Sequence, residues 1–208
     1  MKKHLLTALL IFVTGTSLFA QVKVRPGIKA GFNASTITNT ESSSRKIGFD
    51  GGMFVNIHFA RFYEMQVETS YSNQGGSWDD YNYYDPYEDE YLYAGEDDMN
   101  LHYFTLGVAN KFFVVPGAGF HFIIGPSLDI LLSSSDEYDI TPADLSFFAG
   151  IGYEFPTGLG LEIRYKQGVI DIRDGYADYV DDYDLDYYTS DSRLNSVLQV
   201  GVFYKFNF

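Results

Sequence analysis

Leu198-Gln199-Val200-Gly201-Val202-Phe203-Tyr204-Lys205-Phe206-Asn207-Phe208 is the stretch that decides the fold. Read with a period of two, it places Leu198, Val200, Val202, Tyr204, Phe206 and Phe208 on one face. Gln199, Gly201, Lys205 and Asn207 occupy the other, where Phe203 is the one apolar residue. Successive side chains of a strand point to opposite faces, so the segment is a strand with one greasy side and one mainly polar side. In a soluble sandwich the greasy side would meet a protein core. In a membrane barrel it would meet lipid, with the polar side turned to the lumen.

Working back along the chain, seven further segments show the same alternation, near residues 24–37, 46–59, 62–75, 101–114, 118–132, 145–155 and 159–173. With 194–208 they make eight strands. The connections after the second, fourth and sixth are short, at Ala60-Arg61, Pro116-Gly117 and Pro156-Thr157-Gly158. Those after the first, third, fifth and seventh are longer, polar and acidic. Short turns at one end and long loops at the other belong to an up-and-down barrel that crosses an outer membrane. Closure of eight antiparallel strands also removes every open edge, which a lipid environment requires.

The two faces decide between this arrangement and a soluble ligand-binding barrel. In the seventh segment Leu161, Ile163 and Tyr165 oppose Glu162, Arg164 and Lys166. In the third, Tyr63, Met65, Val67 and Tyr71 oppose Glu64, Gln66, Glu68 and Ser70. A soluble barrel of the lipocalin type keeps its interior apolar, whereas here the charged set takes the enclosed side. The expected lumen network is Lys29, Asp50, Glu64, Glu68, Lys111, Asp129, Glu154, Glu162, Arg164, Lys166 and Lys205. An eight-stranded lumen is just wide enough for side chains to fill it. Unpaired buried charge costs several kcal/mol per ion, so five cations beside six anions read as a plug of ion pairs.

The 208-residue chain fits one domain, residues 21–208, after a signal peptide at 1–20. Lys2 and Lys3 begin that peptide, Leu5 to Val13 is its apolar stretch, and Ser17-Leu18-Phe19-Ala20 is the cleavage site. Cleavage deletes two lysines and no acid, moving the net charge from −14 to −16. Such acidity disfavours nucleic acid as a partner. The chain has no Cys, which excludes disulfides, thiolate metal sites and lipoprotein attachment. No cofactor motif is present, and no cofactor is expected. Eighteen Tyr, 18 Phe and 20 Gly suit a β-rich protein with aromatic girdles.

The acidic loops hold the unusual chemistry. Residues 77–98 carry nine acids and no base, interleaved with Tyr. Residues 174–191 repeat the theme. One reading is a solvated, repelling surface with Tyr at the membrane interface. A second is Ca²⁺ binding by Asp79, Asp80, Glu88, Asp89, Glu90, Asp181 and Asp182, since hard cations take six to eight oxygens; no EF-hand spacing supports it. A third is a recognition surface for a basic or glycan-bearing extracellular ligand, because Tyr offers rigid amphipathic contact area.

An enzyme at the barrel rim would need a Ser–His arrangement. His102 lies near the loop end, with Ser70, Ser72 and Ser77 in range by sequence, while His58 and His121 fall on the lumen face near the short turns. No local motif marks a nucleophile, so catalysis is not expected; a rim lipid hydrolase stands as the reading from another class.

Gly27-Ile28-Lys29-Ala30-Gly31-Phe32-Asn33 resembles the opening of the small outer-membrane β-barrel (porin-like, PorT-type) proteins of Bacteroidota. Leu101-His102-Tyr103-Phe104-Thr105-Leu106, Gly125-Pro126, Gly150 to Phe155, Leu159 to Tyr165 and Val200 to Phe206 are similar to the same family. The resemblance spans most of residues 21–208 and implies an eight-stranded barrel in the outer membrane, with no catalytic positions to carry over. The final aromatic, Phe208, resembles the C-terminal signature that barrel-assembly machinery reads in such chains. The expected role is structural or surface-interacting, with outer-membrane lipid as surroundings; the alternative is an accessory of outer-membrane assembly or secretion.

Overall fold

The computed structural model describes residues 22–38, 43–79, 83–85, 90–92, 96–135, 140–172 and 192–207. Among these the secondary structure is all β: β1 Lys23–Ile37, β2 Ser43–Ser44, β3 Lys46–Ala60, β4 Tyr63–Asp79, β5 Tyr83–Asp85, β6 Glu90–Leu92, β7 Glu96–Phe113, β8 Phe120–Ser134, β9 Ala143–Glu154, β10 Leu159–Gly168 and β11 Asn195–Lys205. The eight long strands pair antiparallel in the order β1-β3-β4-β7-β8-β9-β10-β11, and β11 returns to β1 to close the barrel. Strand β2 pairs with the end of β4, and β5 and β6 pair with each other as a separate two-stranded sheet.

Strand number and order match the expectation, and so does the alternation of short and long connections. Four boundaries depart from it by more than two residues. The third and fourth segments reach past residues 75 and 101: β4 runs on to Asp79 and β7 begins at Glu96, in one unbroken register from Tyr63↔Phe112 to Asp79↔Glu96. Asp and Glu are poor strand formers, but each added rung of an existing ladder satisfies backbone groups that would otherwise need water. The seventh segment stops at Gly168, not 173, because the chain then folds inward and buries Ile172 to 2% exposure. The last ladder ends at Lys205. Residues 1–20 and Phe208 lie outside the described residues.

The wall is turned out as the alternation demands. Along β10 the exposed residues are Leu159, Leu161, Ile163 and Tyr165, while Gly160, Glu162, Arg164 and Lys166 are buried. The same holds for Phe120, Phe122, Ile124, Leu128 and Ile130 of β8, which face outward at 37–56% exposure. Around the short-turn end, Phe59 stacks on Tyr63 and Tyr63 meets Phe112 at a tilt, with centroids 5.7 and 5.3 Å apart, and the Tyr153–Phe155 and Tyr204–Phe206 pairs continue the girdle. An apolar band with aromatic rims is a surface built for a bilayer.

Candidate functional site: the filled lumen

The lumen is stacked in three layers. At the loop end, Ile37, Met99, Leu101, Tyr103 and Ile172 form a buried apolar cluster against which Leu131 and Ile140 pack. Ile172 and Ile140 come from connections that tuck back into the barrel mouth; Thr141 donates its N–H to the Ile172 carbonyl at 2.8 Å. The sequence reading did not foresee this cap, because its members come from strands and loops far apart in the chain.

The middle layer is ionic. Arg164, 4% exposed, donates to both carboxylate oxygens of Glu68 (2.6 and 3.1 Å) and to Glu162 (2.5 Å). Lys29 reaches Glu68 at 3.2 Å and Asp50 at 3.4 Å, and Ser70 donates to Asp50 at 3.1 Å. Lys111 pairs with Glu162 and stands 4.3 Å above the centroid of the Phe203 ring. Nearer the loop end, Lys166 grips both oxygens of Asp129 at 2.9 Å, and Thr105 and Ser146 also donate to that carboxylate. Toward the short turns, Lys205 joins Glu64 (2.5 Å) to Glu154 (2.6 Å), and His58 contacts Glu64 at 2.9 Å. All eleven network residues named from sequence lie on the inner face. Breaking such a pair strands a buried ion at a cost of about 3–5 kcal/mol.

One inward acid escaped that reading. Asp144 is 3% exposed and directly opposite Asp129 in the β8–β9 register, and it accepts the Ile170 N–H at 3.1 Å. The alternation extends two residues earlier than 145, which was the signal available.

Space for these long side chains comes from inward glycines. Gly152 sits where a Cβ would lie 2.5 Å from the His121 ring, and a Cβ on Gly150 would touch the Arg164 stem at 3.1 Å. Three inward phenylalanines each face a glycine as direct cross-strand partner: Phe54 opposite Gly27, Phe203 opposite Gly160, Phe148 opposite Gly125. The ring fills the volume that the glycine leaves, so the narrow lumen is packed without bulging the wall.

The serine–histidine grouping does not form. His102 sits on the outer surface, its Nδ1 2.5 Å from the Tyr71 hydroxyl and 3.1 Å from the Asn73 amide. Ser70 and Ser72 are buried in the lumen, where Ser72 accepts from Asn33 and Gln74. Side chains on opposite faces of one wall cannot share a proton, which removes Ser70 and Ser72 as partners of His102. Asn33 is likewise enclosed at 1% exposure. Of the proposed Ca²⁺ ligands, Asp80, Glu88, Asp89, Asp181 and Asp182 lie outside the described residues. The backbones of Asp79 and Glu90 are in strands, opposite Glu96 and Asp85. Among the described residues no cluster of three acids or histidines could hold a metal ion.

A closed antiparallel barrel with a greasy exterior and a salt-bridged interior defines an outer-membrane protein. The chain belongs to the outer membrane protein beta-barrel domain family, whose sequence model matches residues 19–174. No curated protein matches the sequence. Among solved structures, the chain is similar in fold to Neisserial surface protein A, NspA (12% identity, TM-score 0.48, 87% of this chain and 97% of that one). It is also similar to Ail, the attachment invasion locus protein of Yersinia pestis (10%, 0.45, 88% and 99%). A de novo designed transmembrane β-barrel is a third (10%, 0.42, 88% and 95%).

Proposed function

We propose that this outer-membrane protein is a closed structural barrel that holds its acidic, Tyr-rich segments at the cell surface as an interaction platform, without enzymatic activity. The filled lumen carries the reading. An apolar cap over paired ions fills the lumen among the described residues, so the part free to meet a partner is the extracellular end. There the β4–β7 ladder continues as far as Asp79↔Glu96, and in the β5–β6 ladder Tyr84 is paired with Tyr91 and Asp85 with Glu90. Tyr with carboxylates suits a basic or glycan-bearing ligand. The PorT-type subgroup is the set of barrels that the motif order fits best, and the final strand supplies the contact to the barrel-assembly machinery.

Two recordings test this. The mature chain folded into planar bilayers should give no steady conductance, and trimming residues 80–95 and 174–191 should leave it silent. The same trimming should abolish retention of a polylysine-coated surface by cells displaying the protein. Millimolar Ca²⁺ without calorimetric heat would remove the metal reading. Conductance through the intact barrel, or retention unaffected by trimming, would defeat the platform.

A further inference from the structure

We propose that the ionic layer holds a water-binding site at the seam where β11 meets β1, and that its water completes the hydrogen bonding of Arg164. Gly31 and Gly201 are direct cross-strand partners at that seam. Both have inward parity, Gly31 between Lys29 and Asn33, and Gly201 between Gln199 and Phe203. Two missing side chains on one rung leave a cavity of about 30 Å³, lined by Lys29, Asp50, Glu162, Arg164 and Gln199 together with the two glycines. A buried water needs roughly 10–15 Å³, so the space takes one or two. The lining comes from β1, β3, β10 and β11, so the site exists only once the barrel has closed.

The lining decides what can occupy it. Arg164 spends its two terminal nitrogens on Glu68 and Glu162, and the Phe148 ring lies 5.1 Å from its Cζ. Its Nε–H is buried and finds no acceptor among the described residues. An unpaired buried donor on a charged group is costly, and a water in the cavity relieves it by accepting that hydrogen bond. The carboxylates of Asp50 and Glu162 offer acceptors for the water's own protons. Gln199 adds a carbonyl oxygen, its amide nitrogen being given to Asn33 at 3.2 Å. Two cations, Lys29 and Arg164, and two carboxylates face the cavity, so neither an anion nor a cation meets a one-sided field. A neutral molecule that both donates and accepts suits such a lining, and water is one small enough. A Cβ on Gly201 would lie 3.0 Å from the Ala30 carbonyl oxygen and 3.4 Å from the Gly31 Cα, on the side of the wall that faces this space.

The experiment is a crystal structure of the full mature barrel, fine enough to show ordered water, from crystals soaked separately in sodium bromide and rubidium chloride. The expected result is a water within about 3.2 Å of Arg164 Nε, with no anomalous signal from bromide or rubidium in the cavity. Gly201→Ala and Gly201→Ser then place the same Cβ in the same spot and differ by one hydroxyl. The alanine methyl displaces water without replacing its hydrogen bond, whereas the serine hydroxyl takes the water's place. The urea midpoint of the vesicle-folded serine variant should therefore exceed that of the alanine variant by about 0.5 M, the yield of one hydrogen bond at a small protein's urea dependence. If neither variant folds, the wild-type crystals decide alone. A dry cavity, a bromide or rubidium peak inside it, or an alanine variant at least as stable as the serine variant would overturn the assignment.

Discussion

Phe203 packs against Gly160 so tightly that a Cβ added to the glycine would lie 2.0 Å from the ring. The two are direct partners across β10 and β11, and the ring also carries Lys111 at 4.3 Å. One glycine therefore positions an aromatic that in turn positions a buried cation. Gly160→Ala should destabilise the barrel by about 1–3 kcal/mol, as overpacking does in a dense interior. The measurement is the urea midpoint of vesicle-folded protein, with Phe203→Leu added to the same chain. If the alanine variant alone melts like the wild type, the ring yields freely and the glycine is dispensable. Partial recovery in the double variant is the expected signature.

Arg164 links Glu68 to Glu162, and Lys111 also pairs with Glu162, with the His121 ring 3.8 Å away. Removing the guanidinium leaves Glu68 with Lys29 as its cation and the Gln66 amide as a neutral donor at 2.8 Å. Arg164→Met should cost about 3–5 kcal/mol, the penalty for stranding buried charge. Glu68→Gln in the Met background should restore part of the loss, because the neutral amide no longer demands a counter-ion. A double-mutant cycle reads this directly: additive losses would mean that the two side chains act independently, contrary to their bidentate contact.

Much of this arrangement is legible in the sequence. Alternation in β10 separates Ile163 from Arg164, and charged residues on the enclosed side identify the bilayer as the solvent. The same alternation already set His102 and Ser70 on opposite faces, since 102 shares its parity with outward Phe104 and 70 with inward Glu68. What stayed hidden depends on register. Nothing local says that Phe203 meets Gly160 and not Glu162, because that choice is fixed by the stagger with which eight strands close. The apolar cap was hidden for a related reason: Ile37, Leu101 and Ile172 become neighbours only after closure. The acidic run at residues 96–98 also concealed a strand that pairing, not propensity, creates.

Tyr103 is 1% exposed in the cap and sits one rung above Thr105, which donates to Asp129. Tyr103→Ala should lower stability by about 3–5 kcal/mol, the usual cost of deleting a large buried aromatic. Conductance should nevertheless stay absent, since the Lys166–Asp129 and Arg164–Glu68 pairs fill the lumen beneath. Planar-bilayer recording of the variant decides the point. Steady channels after loss of the cap alone would show that the ionic layer leaks by itself.

Ile163 lies midway along β10, outward and 48% exposed, with Ile151 and Val200 as its cross-strand partners. Phe206 lies at the short-turn edge of the same apolar surface, its ring 5.4 Å from Tyr204. If lipid covers this band, depth should govern the penalty for a charge placed on it. Ile163→Arg should cost about 2–4 kcal/mol and Phe206→Arg about 0–1 kcal/mol, the difference between bilayer midplane and interface. Equilibrium refolding into vesicles of fixed thickness measures both. In a soluble barrel an outward arginine would be indifferent at either depth, so equal and negligible effects would contradict the orientation of the wall. A large penalty at position 163 with little at 206 places the hydrocarbon core at the level of Ile151, Ile163 and Val200.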